Sequence, residues 1–202
     1  MDTRERIMDT ALTLFADSGY EAVSIRDVCR EVGIKESSVY YHFKNKRDIL
    51  DSLLNRFEDH VNALLAVFRS ASMTGETPPS FDWMDTYFFD QYLFDPFCNK
   101  LMRLMMIEQF HDEQIREAYE RWLFTEPYRI ETSAFLMLAK VGVIPEADAA
   151  QMGRNYYANI TMLIFRHLLN GALTEERKDA FRTEAHAYIN TIIKQLGGKE
   201  NV

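Results

Sequence analysis

Residues 24–47, SIRDVCREVGIKESSVYYHFKNKR, constrain the fold more than any other stretch of the chain. Ser24, with Asp27 three residues on, is the capping-box start of a helix. Val28, Cys29 and Val32 then share one face at helical spacing. Gly33 follows the last periodic residue, where a left-handed cap suits a residue without a Cβ. Ile34, Val39 and Phe43 supply the inward positions of a second, short helix. That leaves Lys35, Glu36, Ser37, Ser38, Tyr41, His42 and Lys44 facing outward. Hydroxyls, an aromatic pair, an imidazole and lysines on an exposed short helix suit a DNA major groove and offer little to a core.

The remaining chain is built around that pair. Residues 4–18 carry Ile7, Ala11, Leu14 and Phe15 on one helical face, with Asp2 and Glu5 as the capping signal and Ser18-Gly19 as the stop. Tyr20, Val23 and Ile25 complete a three-helix core. Asn45 and Asp48 open a long helix over 48–69, with leucines and phenylalanines at helical spacing, and the Gly/Pro-bearing segment Ser70 to Ser80 stops it. Helices are predicted at 81–94, 97–110, 112–125, 127–141, 146–170 and 174–196, separated at Pro96, His111-Asp112, Glu126-Pro127 and Val141 to Pro145. No alternating strand pattern, repeat or low-complexity tract interrupts them. The expected class is all-α, with a DNA-binding domain over 1–47 and a connecting helix plus helical ligand-binding and dimerisation domain over 48–202.

Charge tests the DNA assignment. The chain has 202 residues and a net charge of −8. Residues 1–50 hold eight bases against nine acids, so the N-terminal part is not basic overall. Placement matters more, because Lys44, Lys46 and Arg47 lie within four residues and form a local grip for phosphate. Modest non-specific affinity is expected. The charged start, Met-Asp-Thr-Arg-Glu-Arg, has no apolar run after it, so no signal peptide is expected. The longest uncharged stretch, residues 155–165, is too short to cross a bilayer. Cys29 and Cys98 lack metal or redox spacing. A cytoplasmic location, no membrane partner and no cofactor are expected.

Two features of the C-terminal part bear on ligands and assembly. Residues 83–137 are rich in aromatic and methionine side chains, including Trp83, which suit either a helical core or a pocket for a flat or greasy molecule. Candidate ligand contacts are Phe88, Tyr92, Met102, Met106, Phe110, Trp122, Tyr128 and Tyr156, with Arg103, Glu108 and His111 as polar candidates among them. Helix 146–170 is apolar on nearly every side and the last helix carries a single stripe. Both either close the monomer core or pair with their copies into a four-helix interface. A helix-turn-helix needs a twofold partner, which favours the interface. Tyr157, Ile164, Phe181, Tyr188 and Ile192 are the candidate contacts, and Gly153 would allow close helix approach. Glu108 and His111 make one E-x-x-H step without a second copy, and no phosphate loop, H-E-x-x-H or G-x-S-x-G is present. Neither an enzyme nor a metal site is expected.

The order of parts resembles the N-terminal domain of the tetracycline-repressor (TetR) family. The specific piece is Val39-Tyr40-Tyr41-His42-Phe43-Lys44-Asn45-Lys46, which is similar to that family's signature. The resemblance is strong over residues 4–54 and architectural beyond. It implies a homodimeric regulator that binds a palindromic operator in double-stranded DNA and is released by a small-molecule effector. By position it implies that Arg26 reaches a base or phosphate. Glu36, Ser37, Tyr40, Tyr41 and His42 would meet the groove, and Ser38 and Lys46 would hold phosphate. The DNA-binding candidates are therefore Arg26, Lys35, Glu36, Ser37, Ser38, Tyr40, Tyr41, His42, Lys44 and Lys46. The chain departs from the family pattern in two places. Glu36 is an acid where a neutral donor is common, and a basic arm ahead of the first helix is largely missing. The rival class is a helical small-molecule-binding protein, or an activator, whose helix-turn-helix serves no ligand-released repression.

Overall fold

The computed structural model describes residues 2–73, 87–140, 142 and 144–197. The described elements are helical, and no strand occurs among them. Two compact units divide the chain, Met1–Ala118 and Tyr119–Val202.

In the first unit, α1 (Thr3–Ser18) begins at the predicted capping box. Glu5 N donates to Asp2 Oδ1 at 2.8 Å, and Asp2 N donates to Glu5 Oε2 at 3.0 Å. α2 (Ile25–Val32), α3 (Glu36–His42) and the long α4 (Lys46–Met73) come next in the chain. Ile7, Leu12, Phe15, Val28, Val32, Val39, Phe43, Ile49, Leu50 and Leu53 are buried together, each fully buried aliphatic or aromatic side chain contributing about 1.5–3 kcal/mol. Leu14, predicted to be inward, is only half-buried, and Met8 and Leu12 fill that face instead. α4 runs through Met73, past the predicted end at 69, so the expected stop at Ser70 to Ser80 does not begin where predicted. Its remainder and the start of the 81–94 helix, with Trp83, lie outside the described residues. The chain then makes a π-helical turn, Phe89–Leu93, and enters α5 (Pro96–Glu108). Asp95 caps α5 by accepting Cys98 N at 2.8 Å, and Pro96 takes the first helical position, where its missing N–H is no loss. α5 packs on α1 and α4.

α6 (Glu113–Glu120) carries the chain across the division between units. The break predicted at Glu126-Pro127 does not occur. A π-helical turn, Arg121–Thr125, runs directly into α7 (Glu126–Lys140). A proline inside a regular α-helix clashes with the carbonyl four residues back. The wider π-turn ending just before Pro127 relieves that clash.

α8 (Glu146–Leu163) lies against α7 with Gly153 at the contact, where a Cβ would stand 2.9 Å from Thr132 Cα. The close approach expected of Gly153 is thus made inside the chain. A third π-turn, Ile164–Leu169, precedes α9 (Glu175–Gly197), which packs on α8 and on this turn. No helix among the described residues is long and apolar enough to cross a membrane.

Candidate nucleic-acid interface

Local chemistry sets the geometry of α2 and α3. Ser24 and Asp27 cap α2 reciprocally, with Asp27 N donating to Ser24 Oγ at 3.2 Å and Ser24 N to Asp27 Oδ2 at 2.9 Å. The Ser24 hydroxyl and amide, with Arg30, hold the Asp27 carboxyl at a pKa of about 2, below its ordinary 3.8. Gly33 ends α2 in the left-handed region (φ 75°, ψ 38°), and both Gly33 N and Ile34 N donate to Cys29 O. Arg6 Nη2 closes the same end by donating to Val32 O at 2.8 Å. This turn leads into α3, which packs on α2 and α1.

On α3 the division between faces is sharp. Val39 is fully buried and Phe43 nearly so. Tyr41 is 85% exposed and Tyr40 54% exposed, and Lys35, Ser37 and Lys44 also face outward. Ser38 and His42 are half-buried, and the Tyr41 and His42 rings meet edge-on at 5.0 Å. Ser37, Ser38, Tyr41 and His42 line a shallow surface depression together with Thr3 from α1. Sequence spacing does not single out Thr3, because its place beside α3 depends on how α1 packs.

Two candidates have partners inside the protein. Arg26 Nε and Glu36 Oε1 are 3.0 Å apart, an exposed ion pair between α2 and α3. The acid that departs from the family pattern is therefore neutralised by the arginine expected to reach DNA. Lys46 Nζ donates to Tyr20 O at 2.8 Å and sits 4.1 Å over the Tyr20 ring. Its side chain holds the α1–α2 connector, while its backbone remains at the start of α4.

A second set of contacts fastens α5 and the start of α6 to this domain. Glu108, among the polar candidates of the sequence, is only 5% exposed, and its Oε1 accepts Tyr20 N at 2.8 Å. Arg103 reaches Asp17 at 3.7 Å, and Lys100 Nζ donates to Thr13 Oγ1 at 2.9 Å. The Arg47 guanidinium bridges Asp51 (2.7 Å), Asp112 and Gln114. Burial opposes the charge on Asp112, yet the bonds from Arg47 and Ile115 N pull its pKa below the ordinary value. His111 is exposed.

The ligand candidates fall in both units. In the first, the Phe88 and Tyr92 rings lie 4.9 Å apart, Tyr92 also meets Phe57, Met102 is buried and Met106 is half-buried. Phe110 is 84% exposed. In the second, Trp122 is buried, Tyr128 meets Tyr157 edge-on, and Tyr156 lies between Phe135 and Tyr188. Of the interface candidates, Phe181 and Ile192 are buried within their own unit, whereas Tyr157, Ile164 and Tyr188 keep part of their surface outside.

The family model described as "Bacterial regulatory proteins, tetR family" matches residues 7–53, the whole of α2 and α3 with most of α1. The IcaR negative transcriptional regulator of the biofilm operon icaADBC from Staphylococcus aureus is 32% identical over 69 residues. That alignment takes in 34% of this chain and 37% of IcaR, so the chain covers little more than a third of that relative. The fold extends the likeness. A regulator of the TerR/AcrR family from Aquifex aeolicus VF5 superposes with a TM-score of 0.64 at 17% identity, covering 93% of this chain and 99% of that one. A Saccharomonospora viridis regulator crystallised with choline gives 0.63 at 23% identity, covering 93% and 95%. Residues 7–53 thus match the tetR family of bacterial regulatory proteins, and the fold of the chain is similar to that of regulators assigned to that family.

Proposed function

We propose that the protein is a homodimeric, sequence-specific transcriptional regulator of the cytoplasm. It represses from a palindromic operator and is released by a small hydrophobic or aromatic effector. Residues 1–47 would meet DNA, and residues 48–202 would take the effector and form the dimer. The observation that carries this is α3, which turns Val39 inward, with Phe43 buried just beyond its end, and offers Ser37, Tyr40 and Tyr41 outward beside the half-buried His42. One such helix reads only a few base pairs. Two copies about 34–36 Å apart, or a multiple of that, reach successive major-groove faces and give operator-level specificity.

Release requires that the effector favour one of two arrangements of the DNA-binding domain. The bonds from Glu108 and Asp112 to Tyr20 and Arg47 support a route, because a shift of α5 moves the α1–α2 connector and the start of α4 with it. The test is selection from random duplexes at low salt. Enrichment of a palindrome supports the proposal, and enrichment of no sequence overturns it.

A further inference from the structure

Away from α3, three metal-binding side chains come together among the described residues. His60 on α4, Asp95 at the cap of α5 and Cys98 in its first turn each place a ligand atom within 4.8 Å of the others. We propose that they form a site for a zinc-type divalent transition-metal ion, joining α4 to the start of α5.

Asp95 and Cys98 are held together at the start of α5, and His60 is positioned separately. Asp95 caps α5 through Cys98 N, which holds its carboxylate beside the Cys98 side chain. Cys98 is fully buried, so its sulfur has a fixed place. His60 Nε2 lies 2.8 Å from Gln91 O in the π-turn Phe89–Leu93. A carbonyl only accepts, so Nε2 carries the proton and Nδ1 of the neutral ring carries the lone pair. A ligating histidine is commonly oriented by such a bond from its other nitrogen to a backbone carbonyl. The nearby cation Arg56 is engaged elsewhere, 3.1 Å from Asp9 and 4.5 Å over the Phe97 ring.

The donor set selects the ion. Sulfur excludes magnesium and calcium as natural occupants, and a carboxylate beside an imidazole disfavours copper(I). One sulfur, one nitrogen and one oxygen suit tetrahedral zinc and its neighbours, leaving a fourth position for water or an exogenous group. Binding forms the metal–sulfur bond and releases the thiol proton to solvent. A helix cap accounts for Asp95 and a small core residue for Cys98, but neither requires an imidazole from another helix at the same point.

Cobalt(II) titrated into the full chain, without DNA, tests the site independently of any operator. The expected result is one tetrahedral cobalt per chain with a thiolate-to-cobalt charge-transfer band, displaced by zinc. His60→Ala should weaken cobalt binding more than about a hundredfold, beyond the ~10–100-fold typical for loss of an outer-shell partner. Cys98→Ser should abolish the charge-transfer band, and Cys29→Ser should keep it. If Cys98→Ser fails to fold, His60→Ala decides, since its half-exposed ring is not needed for the core. No tetrahedral spectrum, unchanged affinity in His60→Ala, or a band that depends on Cys29 would overturn the proposal.

Discussion

Glu108 Oε1 accepts the backbone N–H of Tyr20 at 2.8 Å, while Lys46 Nζ donates to the carbonyl of the same residue at 2.8 Å. Both backbone polar groups of Tyr20 are thus held by side chains, one from α5 and one from α4. Glu108→Ala strands a donor in a half-buried place and should destabilise the first unit by about 1 kcal/mol. Glu108→Gln keeps an acceptor and should lose less. Urea unfolding of both variants, with amide exchange at Tyr20, checks this. Equal stability of Glu108→Ala and wild type would show that the bond adds nothing to the domain.

The Arg26–Glu36 pair leads to a prediction on affinity. An exposed pair of this kind is worth about 0–1 kcal/mol, so Glu36→Gln should leave stability nearly unchanged. It should free Arg26 and remove a negative charge that faces phosphate. Duplex affinity should rise, and the slope of log affinity against log salt should steepen by about 0.9 for each additional phosphate neutralised. Weaker binding would mean instead that Glu36 accepts a hydrogen bond from a base.

Grip and readout should separate by position. Lys44 is exposed, so Lys44→Ala should weaken all duplexes alike and flatten the salt dependence by about one unit per phosphate released. Tyr41→Ala should change which sequences are preferred. Lys46→Ala also loses its bond and ring contact with Tyr20, so its melting temperature should fall where that of Lys44→Ala does not. Competition binding against a sequence library, with thermal melts, distinguishes the three.

Asp27 gives a pH prediction. Its pKa is depressed from 3.8 to about 2 in the folded chain. The stabilisation it provides is therefore complete above the unfolded value and disappears as pH falls through about 2. Thermal melts between about pH 4 and 2 should show part of the acid loss of stability absent in Asp27→Asn. The same loss in both proteins would assign it to other carboxylates.

Assembly is testable at Ile164, which keeps part of its surface outside its own unit. In a twofold interface built on α8 and α9, Ile164→Glu would place an unpaired carboxylate in each copy and weaken the dimer by several kcal/mol. Sedimentation should then report monomers with reduced operator binding. A dimer of ordinary stability would move the interface elsewhere.

The helix-turn-helix is legible in the sequence because its signals are local. Ser24 with Asp27, the turn at Gly33 and the inward pair Val39 and Phe43 each span a few residues and reappear in the structure. Contacts between distant residues leave no comparable trace. Nothing in the spacing of Cys98 announces His60, and nothing near Tyr20 announces Glu108, because packing of separate helices brings each pair together. The Arg26–Glu36 bond depends on the angle between two helices, although both residues stand among the candidates. Pro127 misleads for a different reason. A break and a π-turn both answer a missing N–H, and sequence alone does not choose between them.

The π-turn Ile164–Leu169 acts as a phase shift. Ala149, Gly153, Tyr156 and Ile160 are buried at α-helical period, which continued regularly would next fall near 163–164 and 167. Burial instead becomes complete again at Leu168 and Leu169, one residue late. The delay spreads apolar residues around the helix, which is why this stretch looks hydrophobic on nearly every side. Deleting a single residue inside the turn would therefore restore the ordinary period and leave Leu168 and Leu169 on the buried side. A chain shorter by one residue there would keep Leu168 and Leu169 against α9, whereas one added residue would turn them by about 100° and carry them out of register with it.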